Sequence, residues 1–167
     1  TVYNWAIDQE FIQVNPFARI KRTTALKRTD VWTKLEVERV LDDAYSLYNT
    51  RNIGLIIHRA YAYCQRLADM RTLKWDNFDE NFTVLYLQQS KRRAKVEIPV
   101  DEEMREMLTR QHKDFGFQPY VAPRTLPTKG EYLPYTLEQV SKQGRILMDR
   151  NSIPSSKRLM DLRRTGI

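Results

Sequence analysis

The spacing of apolar residues changes twice along this chain, and these changes restrict the fold. From Thr33 to Leu67 apolar residues recur every three or four positions, which is the period of a helix that buries one face. Between Phe82 and Val100 they recur at every second position, which is the period of a β-strand. Helical spacing returns from Asp101 onward. We therefore predict an α+β fold, a mainly helical domain with a small antiparallel β-sheet.

Two capping boxes mark predicted helix starts. Thr33 and Glu36 stand three positions apart, as do Thr136 and Gln139. In this arrangement each side chain bonds the backbone N–H of the other residue, so both pairs predict a helix N-terminus. The predicted apolar faces of the first two helices are Val37, Val40, Leu41, Ala44 and Tyr48, then Ile53, Ile56, Ile57, Ala60, Cys64 and Leu67.

The alternating segments predict a β-hairpin with a strongly basic tip. Residues 90–94 connect the two predicted strands, and the tip carries Lys91, Arg92 and Arg93. The alternating apolar residues are Phe82, Val84 and Tyr86 in the first strand and Val96, Ile98 and Val100 in the second.

The chain is basic, and its positive charges are clustered. Among 167 residues, 28 Lys and Arg face 21 Asp and Glu, a net charge of +7. The cations concentrate at residues 19–28, 91–95 and 157–164. Three separate clusters favour a polyanionic partner, most simply nucleic acid, over positive charge that serves only solubility.

Several classes of protein are excluded by missing residues. A single cysteine and two histidines allow no internal disulfide and too few ligands for a structural zinc site. There is no glycine-rich phosphate loop, GxSxG elbow or HExxH motif, so we predict no cofactor and no metal. No apolar run approaches the roughly 20 residues of a spanning helix, and no signal peptide is apparent. We predict no membrane association and a cytoplasmic location.

Three segments together resemble the tyrosine recombinases, the phage-integrase family. Residues 66–79 read Arg-Leu-Ala-Asp-Met-Arg-Thr-Leu-Lys-Trp-Asp-Asn-Phe-Asp. They resemble the first signature of the family, an arginine followed by an acidic residue, a leucine and a tryptophan at fixed spacings. The hairpin at residues 89–100 is similar to the strand–turn–strand that carries the catalytic lysine of the family. Residues 160–165, Met-Asp-Leu-Arg-Arg-Thr, resemble the third signature, which contains a second essential arginine.

The resemblance implies metal-independent transesterification on double-stranded DNA, without a cofactor. In the family a tyrosine attacks a DNA phosphate and forms a covalent phosphotyrosine intermediate. Arg66 and Arg163 would bind the nonbridging oxygens, where a guanidinium fork fits and keeps its proton. Lys91 would protonate the departing 5′-oxygen, and Asp69 would accept an orienting hydrogen bond. The expected DNA contacts are Lys27, Arg28, Arg92, Arg93 and Arg164.

The sequence departs from the family pattern at three places. Met160 stands where the third signature usually has histidine, and Cys64 replaces a glycine two residues before Arg66. All nine tyrosines precede Arg163, so we expect the chain to stop before the nucleophile. Two explanations stay open: a fragment of an integrase that binds DNA, or a recombinase-like DNA-binding protein without catalysis. A basic module for an RNA or protein partner is a third alternative.

The predicted domain boundary lies near Arg28. Residues 1–28 are expected to be the last helix of an upstream core-binding domain followed by a basic linker, and residues 29–167 a catalytic domain without its C-terminal end. The family recombines as a tetramer, so the resemblance implies a tetramer on DNA for the full-length parent, while this chain alone could be a monomer.

Overall fold

The computed structural model describes residues 2–20, 29–91 and 93–165. Helices dominate, and one two-stranded antiparallel sheet is present among the described residues, so the predicted α+β class is confirmed. Two 3₁₀ turns lie at Trp75–Asn77 and Leu159–Asp161. The elements are α1 (Val2–Asp8), α2 (Lys34–Ser46), α3 (Tyr48–Ala62), α4 (Leu67–Met70), β1 (Val84–Gln88), β2 (Lys95–Pro99), α5 (Glu102–Phe115), α6 (Leu137–Arg150) and α7 (Leu162–Thr165).

Helix α2 begins at the predicted capping box. Glu36 Oε2 accepts from the Thr33 N–H at 2.7 Å, and Thr33 Oγ1 accepts from the Glu36 N–H at 3.3 Å. The prediction that Tyr48 extends the apolar face of this helix is wrong. Leu47 is extended and ends α2, so Tyr48 starts α3 and is 56% exposed.

Helix α3 forms the centre of the core. Ile53, Ile56 and Ile57 are each at most 1% exposed, and α2, α4, α6 and α7 all pack against this helix. Helices α2 and α3 approach closely at Gly54, where an added Cβ would lie 2.9 Å from the Ala44 Cβ. Because other helices cover α3 on several sides, its C-terminal end is held in place. The segment that resembles the first signature begins four residues after this end, at Arg66.

The hairpin forms as predicted, but its buried face differs. Strands β1 and β2 pair antiparallel, with Val84 opposite Pro99 and Gln88 opposite Lys95. Leu85 and Leu87 enter the core, whereas Tyr86 is 46% exposed. The residues predicted to face the core in β1 are each displaced by one position. Residues 84–87 are apolar on both faces of the strand, so alternation alone does not show which face is buried.

The chain turns sharply between α3 and α4, and the predicted continuation of the helix through Cys64 is wrong. Helix α3 ends at Ala62, and Cys64 adopts a left-handed conformation with φ of 51°. Its side chain is only partly buried rather than on the core face. This conformation explains why the related signature has glycine here, since glycine adopts it without steric cost.

Cys64→Gly is expected to be more stable than Cys64→Ala by about 1 kcal/mol, the reverse of their usual order in a helix. The reason is the left-handed backbone, which penalises any Cβ. Urea unfolding of the two variants measures the difference, and the pair is matched because both lose the thiol. Alanine equal to or above glycine would contradict the left-handed turn.

Residues 2–20 contribute little to the core. Helix α1 has no buried residue and ends at Asp8. Trp5 and Phe11 are 56% and 71% exposed. The predicted linker cations Lys27 and Arg28 lie outside the described residues.

No helix among the described residues is both long enough and apolar enough to cross a membrane.

Candidate functional site

Arg66 and Arg163, the arginines of the first and third signatures, line the same pocket. Arg66 immediately precedes α4, and Arg163 lies on α7. The pocket has a volume of about 700 Å³. Its remaining cationic side chains are Arg145, Lys157 and Arg158, and its apolar wall includes Leu67, Leu137, Met148, Leu159 and Met160.

Arg163 is anchored to the left-handed turn. Its Nε donates to the Cys64 carbonyl oxygen at 2.9 Å, and the side chain is partly buried. This carbonyl belongs to the residue two positions before Arg66 in the chain. The bond therefore couples the two signature arginines through the backbone of residues 64–66.

Asp69 hydrogen-bonds the hairpin tip and does not hydrogen-bond Arg66. Its Oδ2 lies 4.0 Å from Arg66 Nη1, which is too far for a hydrogen bond, and neither atom has a hydrogen-bond partner within the described ranges. Its Oδ1 instead accepts from the Ser90 N–H at 3.2 Å. The expected orienting role thus connects α4 to the hairpin tip, next to Lys91.

Lys91 is near this site but does not line the pocket. It is exposed and follows Ser90, whose N–H bonds Asp69. The turn is closed by two bonds, from the Arg93 N–H to the Gln89 carbonyl at 2.8 Å and from the Gln89 N–H to the Ala94 carbonyl at 2.9 Å. Lys91 reaches the pocket only if its side chain extends toward it.

The other predicted DNA contacts lie in different surroundings. Arg93 is exposed at the tip and has a left-handed backbone, with φ of 52°. Arg164 pairs with Asp161 at 2.8 Å and does not line the pocket. Arg92 lies outside the described residues. These three remain predictions.

Arg145 was missed by sequence reasoning. It sits on α6, and its Nη2 donates to the Ile153 carbonyl at 3.1 Å while its Nε bonds Asp149 at 2.8 Å. It thereby holds the loop that enters the third signature. An arginine within an amphipathic helix carries no motif, so only the packing of α6 against this loop reveals it.

Lys157 belongs to the third basic cluster, yet its charge is already neutralised. Its Nζ lies 2.6 and 2.7 Å from the two Glu36 oxygens, and both side chains are at most 15% exposed. Burial raises the pKa of Glu36, but bonds from Lys157 and Thr33 lower it more, so the net shift is downward. We expect Lys157 to fasten this loop to α2 rather than to bind a ligand.

Met160 lines the pocket and is 63% exposed. A thioether is a weak acceptor and has no proton to donate. The site therefore lacks a proton-transferring group at the position where the related signature has histidine.

The pocket is suited to an anion with two or more oxygens. Arg66 in the turn before α4, Arg163 on α7 and Arg158 line one concavity, and planar guanidinium N–H forks match phosphate oxygens. Among residues 2–20, 29–91 and 93–165, no three His, Cys, Asp or Glu side chains are grouped so that they could hold a metal ion.

Comparison with known proteins gives similarity in fold only. No protein-family model matches the sequence, and no curated protein matches it significantly. A lambda integrase dimer bound to a COC′ core site matches with a TM-score of 0.75 and 21% identity, over 97% of this chain and 59% of that chain. XerH recombinase bound to a difH substrate matches with a TM-score of 0.63 and 16% identity, over 87% and 44%. The catalytic domain of bacteriophage HP1 integrase matches with a TM-score of 0.54 and 18% identity, over 81% and 67%.

The described chain therefore has the fold of the tyrosine recombinase catalytic domain. It spans less than two thirds of the lambda integrase and XerH chains.

Proposed function

We propose that this chain is the DNA-binding part of a site-specific recombinase or integrase. The observation that carries the proposal is the convergence of Arg66 and Arg163 on one pocket in this fold. Solved relatives of the fold include proteins bound to a core site, a Holliday junction and a difH substrate, which supports double-stranded DNA as the partner.

In this proposal the two arginines bind the nonbridging oxygens of one DNA phosphate. Charge on these oxygens grows as a nucleophile attacks, so fixed guanidinium donors stabilise the transition state more than the ground state. Lys91 would extend from the hairpin tip and protonate the departing 5′-oxygen, which an arginine does poorly because its pKa is too high.

The nucleophile of the parent reaction is a tyrosine hydroxyl in this proposal, and we propose that it is none of the nine tyrosines of this chain. All of them precede Arg163, the last being Tyr135. Tyr135 is also buried, which raises the pKa of its hydroxyl despite bonds to Thr125. The chain alone is expected to bind DNA without forming a covalent adduct.

A second candidate function is DNA binding by a recombinase-like protein that never cuts. The exposed Met160 favours it, because the pocket lacks a proton donor there. Cleavage of a suicide DNA substrate by the full-length parent would favour the enzyme, and its absence alongside tight binding would favour this alternative.

The remaining details extend the same proposal. Residues 1–28 would belong to an upstream core-binding domain, and residues 29–167 to the catalytic domain. The full-length parent would act in the cytoplasm as a tetramer on DNA, and this chain alone could be a monomer.

Affinity for duplex DNA should fall steeply with salt, because phosphate contacts release counterions. With three to five contacts, the slope of log affinity against log salt concentration is expected to be about −2.7 to −4.5. Fluorescence anisotropy with a 30-base-pair duplex measures it, with structured RNA of equal charge as the control. A slope near zero would contradict phosphate-dominated binding, and equal affinity for both nucleic acids would favour an RNA module.

A further inference from the structure

The hairpin tip is joined to the turn before α4 by a pair of glutamine side chains. Gln89 Nε2 donates to Gln65 Oε1 at 2.7 Å. Gln89 is 9% exposed, and Gln65 is partly buried. The two residues are far apart in sequence, so the bond ties two separate segments of the site together.

Each glutamine is fixed by a second interaction. Gln65 Nε2 donates to the Tyr63 carbonyl at 2.9 Å, which leaves its Oε1 as the acceptor for Gln89. Gln89 closes the tip with its own backbone, because its N–H bonds Ala94 and its carbonyl accepts from Arg93. Each residue of the pair is therefore also hydrogen-bonded within its own turn.

The position of this pair relates it to the cations of the site. Gln65 lies between Cys64, whose carbonyl accepts from Arg163, and Arg66. Gln89 lies two residues before Lys91. The pair thus connects the segment that carries Arg66, and to which Arg163 is hydrogen-bonded, to the turn that carries the lysine.

We propose that Gln65 and Gln89 form a latch that positions Lys91 relative to Arg66 and Arg163. This inference rests on the proposed function for the role of Lys91, but the latch itself is a structural claim. Asp69 supplies a second attachment through the Ser90 N–H. With both attachments the tip is held at two points, which limits its rotation about either one.

Hydrogen exchange tests the latch without DNA. In Gln89→Met, which keeps the volume but removes the donor, the hydrogen-bonded amides of Gln89, Ser90 and Arg93 are expected to exchange about five- to tenfold faster, the equivalent of one lost hydrogen bond. Gln88→Met is the matched control, because Gln88 is exposed and reaches the same turn only through a 3.4 Å contact. Its exchange should stay within twofold of the unmodified chain.

Variants of Gln65 separate the latch from a loss of packing. Gln65→Met removes the acceptor for Gln89 and should accelerate the same amides, and the double variant should exchange no faster than either single variant, because each change removes the same bond. Amides in the middle of α3 report global opening and should not change in any of these variants. Equal exchange of the Gln89, Ser90 and Arg93 amides in Gln89→Met and Gln88→Met would overturn the latch.

A double-mutant cycle tests the positioning of Lys91. Lys91→Ala should reduce the magnitude of the salt slope for duplex DNA by about 0.9 in the unmodified chain, the effect of one phosphate contact. In the Gln89→Met background the same change should have less than half this effect, because the lysine is no longer placed. An undiminished effect would overturn the positioning role. Absence of salt-dependent binding in every variant would refute the proposed function, while the exchange result would still decide the latch.

Discussion

Replacing Arg66 or Arg163 with alanine is expected to lower the affinity for duplex DNA by about 10- to 150-fold. A hydrogen bond to a charged group contributes about 1.5–3 kcal/mol, and each guanidinium offers a fork of such bonds to a phosphate. The magnitude of the salt slope should also fall by about 0.9 for each arginine removed. The double variant should lose less than the sum of the single losses, because both side chains line one pocket and would share one phosphate.

Lysine replacements distinguish charge from geometry. Arg66→Lys and Arg163→Lys keep a cation, so the salt slope should hardly change, while the affinity still falls because an ammonium cannot form the planar fork. Arg163→Lys also removes the bond to the Cys64 carbonyl, so its thermal unfolding should be measured alongside.

A matched arginine on another surface provides the control. Arg110 on α5 is 79% exposed and pairs with Glu106 through a 3.5 Å contact. Arg110→Ala should change affinity by less than about twofold at 150 mM salt. If Arg110→Ala weakened binding as much as Arg66→Ala, binding would follow net charge rather than the pocket.

Replacing the buried Arg59 is expected to produce the largest changes in stability. Its side chain is fully buried; Nε donates to the Leu55 carbonyl at 3.1 Å, and Nη2 to the Met70 carbonyl at 3.3 Å. Its Nη1 is buried without a hydrogen-bond partner, and no carboxylate within the described residues pairs with it. Arg59→Met should leave the free energy of unfolding unchanged or raise it by up to about 3 kcal/mol, and Arg59→Ala should lower it by about 3–5 kcal/mol through a cavity.

The pH dependence of the free energy of unfolding shows whether the charge of Arg59 stabilises or destabilises the fold. Burial lowers the pKa of its guanidinium to about 10, although Tyr63 and Tyr45 act to raise it. Because the unfolded chain binds the proton more tightly, this charge destabilises the fold below pH 10, and the cost fades as the pH rises from 10 toward the ordinary pKa of arginine. A difference of one pH unit between the folded and unfolded pKa corresponds to about 1.4 kcal/mol, so the full cost of burying the charged guanidinium is about 3 kcal/mol. The hydrogen bonds of Arg59 offset part of this cost.

Guanidinium chloride unfolding of the three proteins at pH 7 and pH 10.5 measures these differences. The free energy of unfolding of Arg59→Met relative to that of the unmodified chain should be greatest at pH 7 and smaller at pH 10.5. A loss of several kcal/mol in Arg59→Met at pH 7 would show that the bonds to Leu55 and Met70 outweigh the cost of burying the charge.

Local signals in the sequence were sufficient where neighbouring residues decide the structure. The capping boxes at Thr33 and Thr136 both start helices as predicted, because the residues that satisfy the free N–H groups lie within one turn. The alternating segments predicted the hairpin for the same reason. Local patterns failed at Tyr48 and Cys64, where a break in the helix moves the side chain off the expected face.

The chemistry of the site was partly available from sequence as well. The resemblance of residues 66–79 and 160–165 to the recombinase signatures selected Arg66 and Arg163, and both line the pocket. The sequence did not indicate that Lys157 is already paired with Glu36. An ion pair between residues far apart in sequence has no local signature, because only chain folding brings its charges together.

By itself, the sequence determined the α+β class, the helix starts, the hairpin with its basic tip and, through the family resemblance, two of the four arginines that line the pocket. Only the tertiary structure decided that Arg66 and Arg163 share one pocket, that Arg145 supports the adjoining loop, that Arg59 is buried with no countercharge among the described residues, and that Gln89 bonds Gln65. The physical reason is the range of the interactions. Caps, turns and periodic faces depend on residues within a few positions, whereas pockets, buried charges and bonds between segments depend on how distant elements pack.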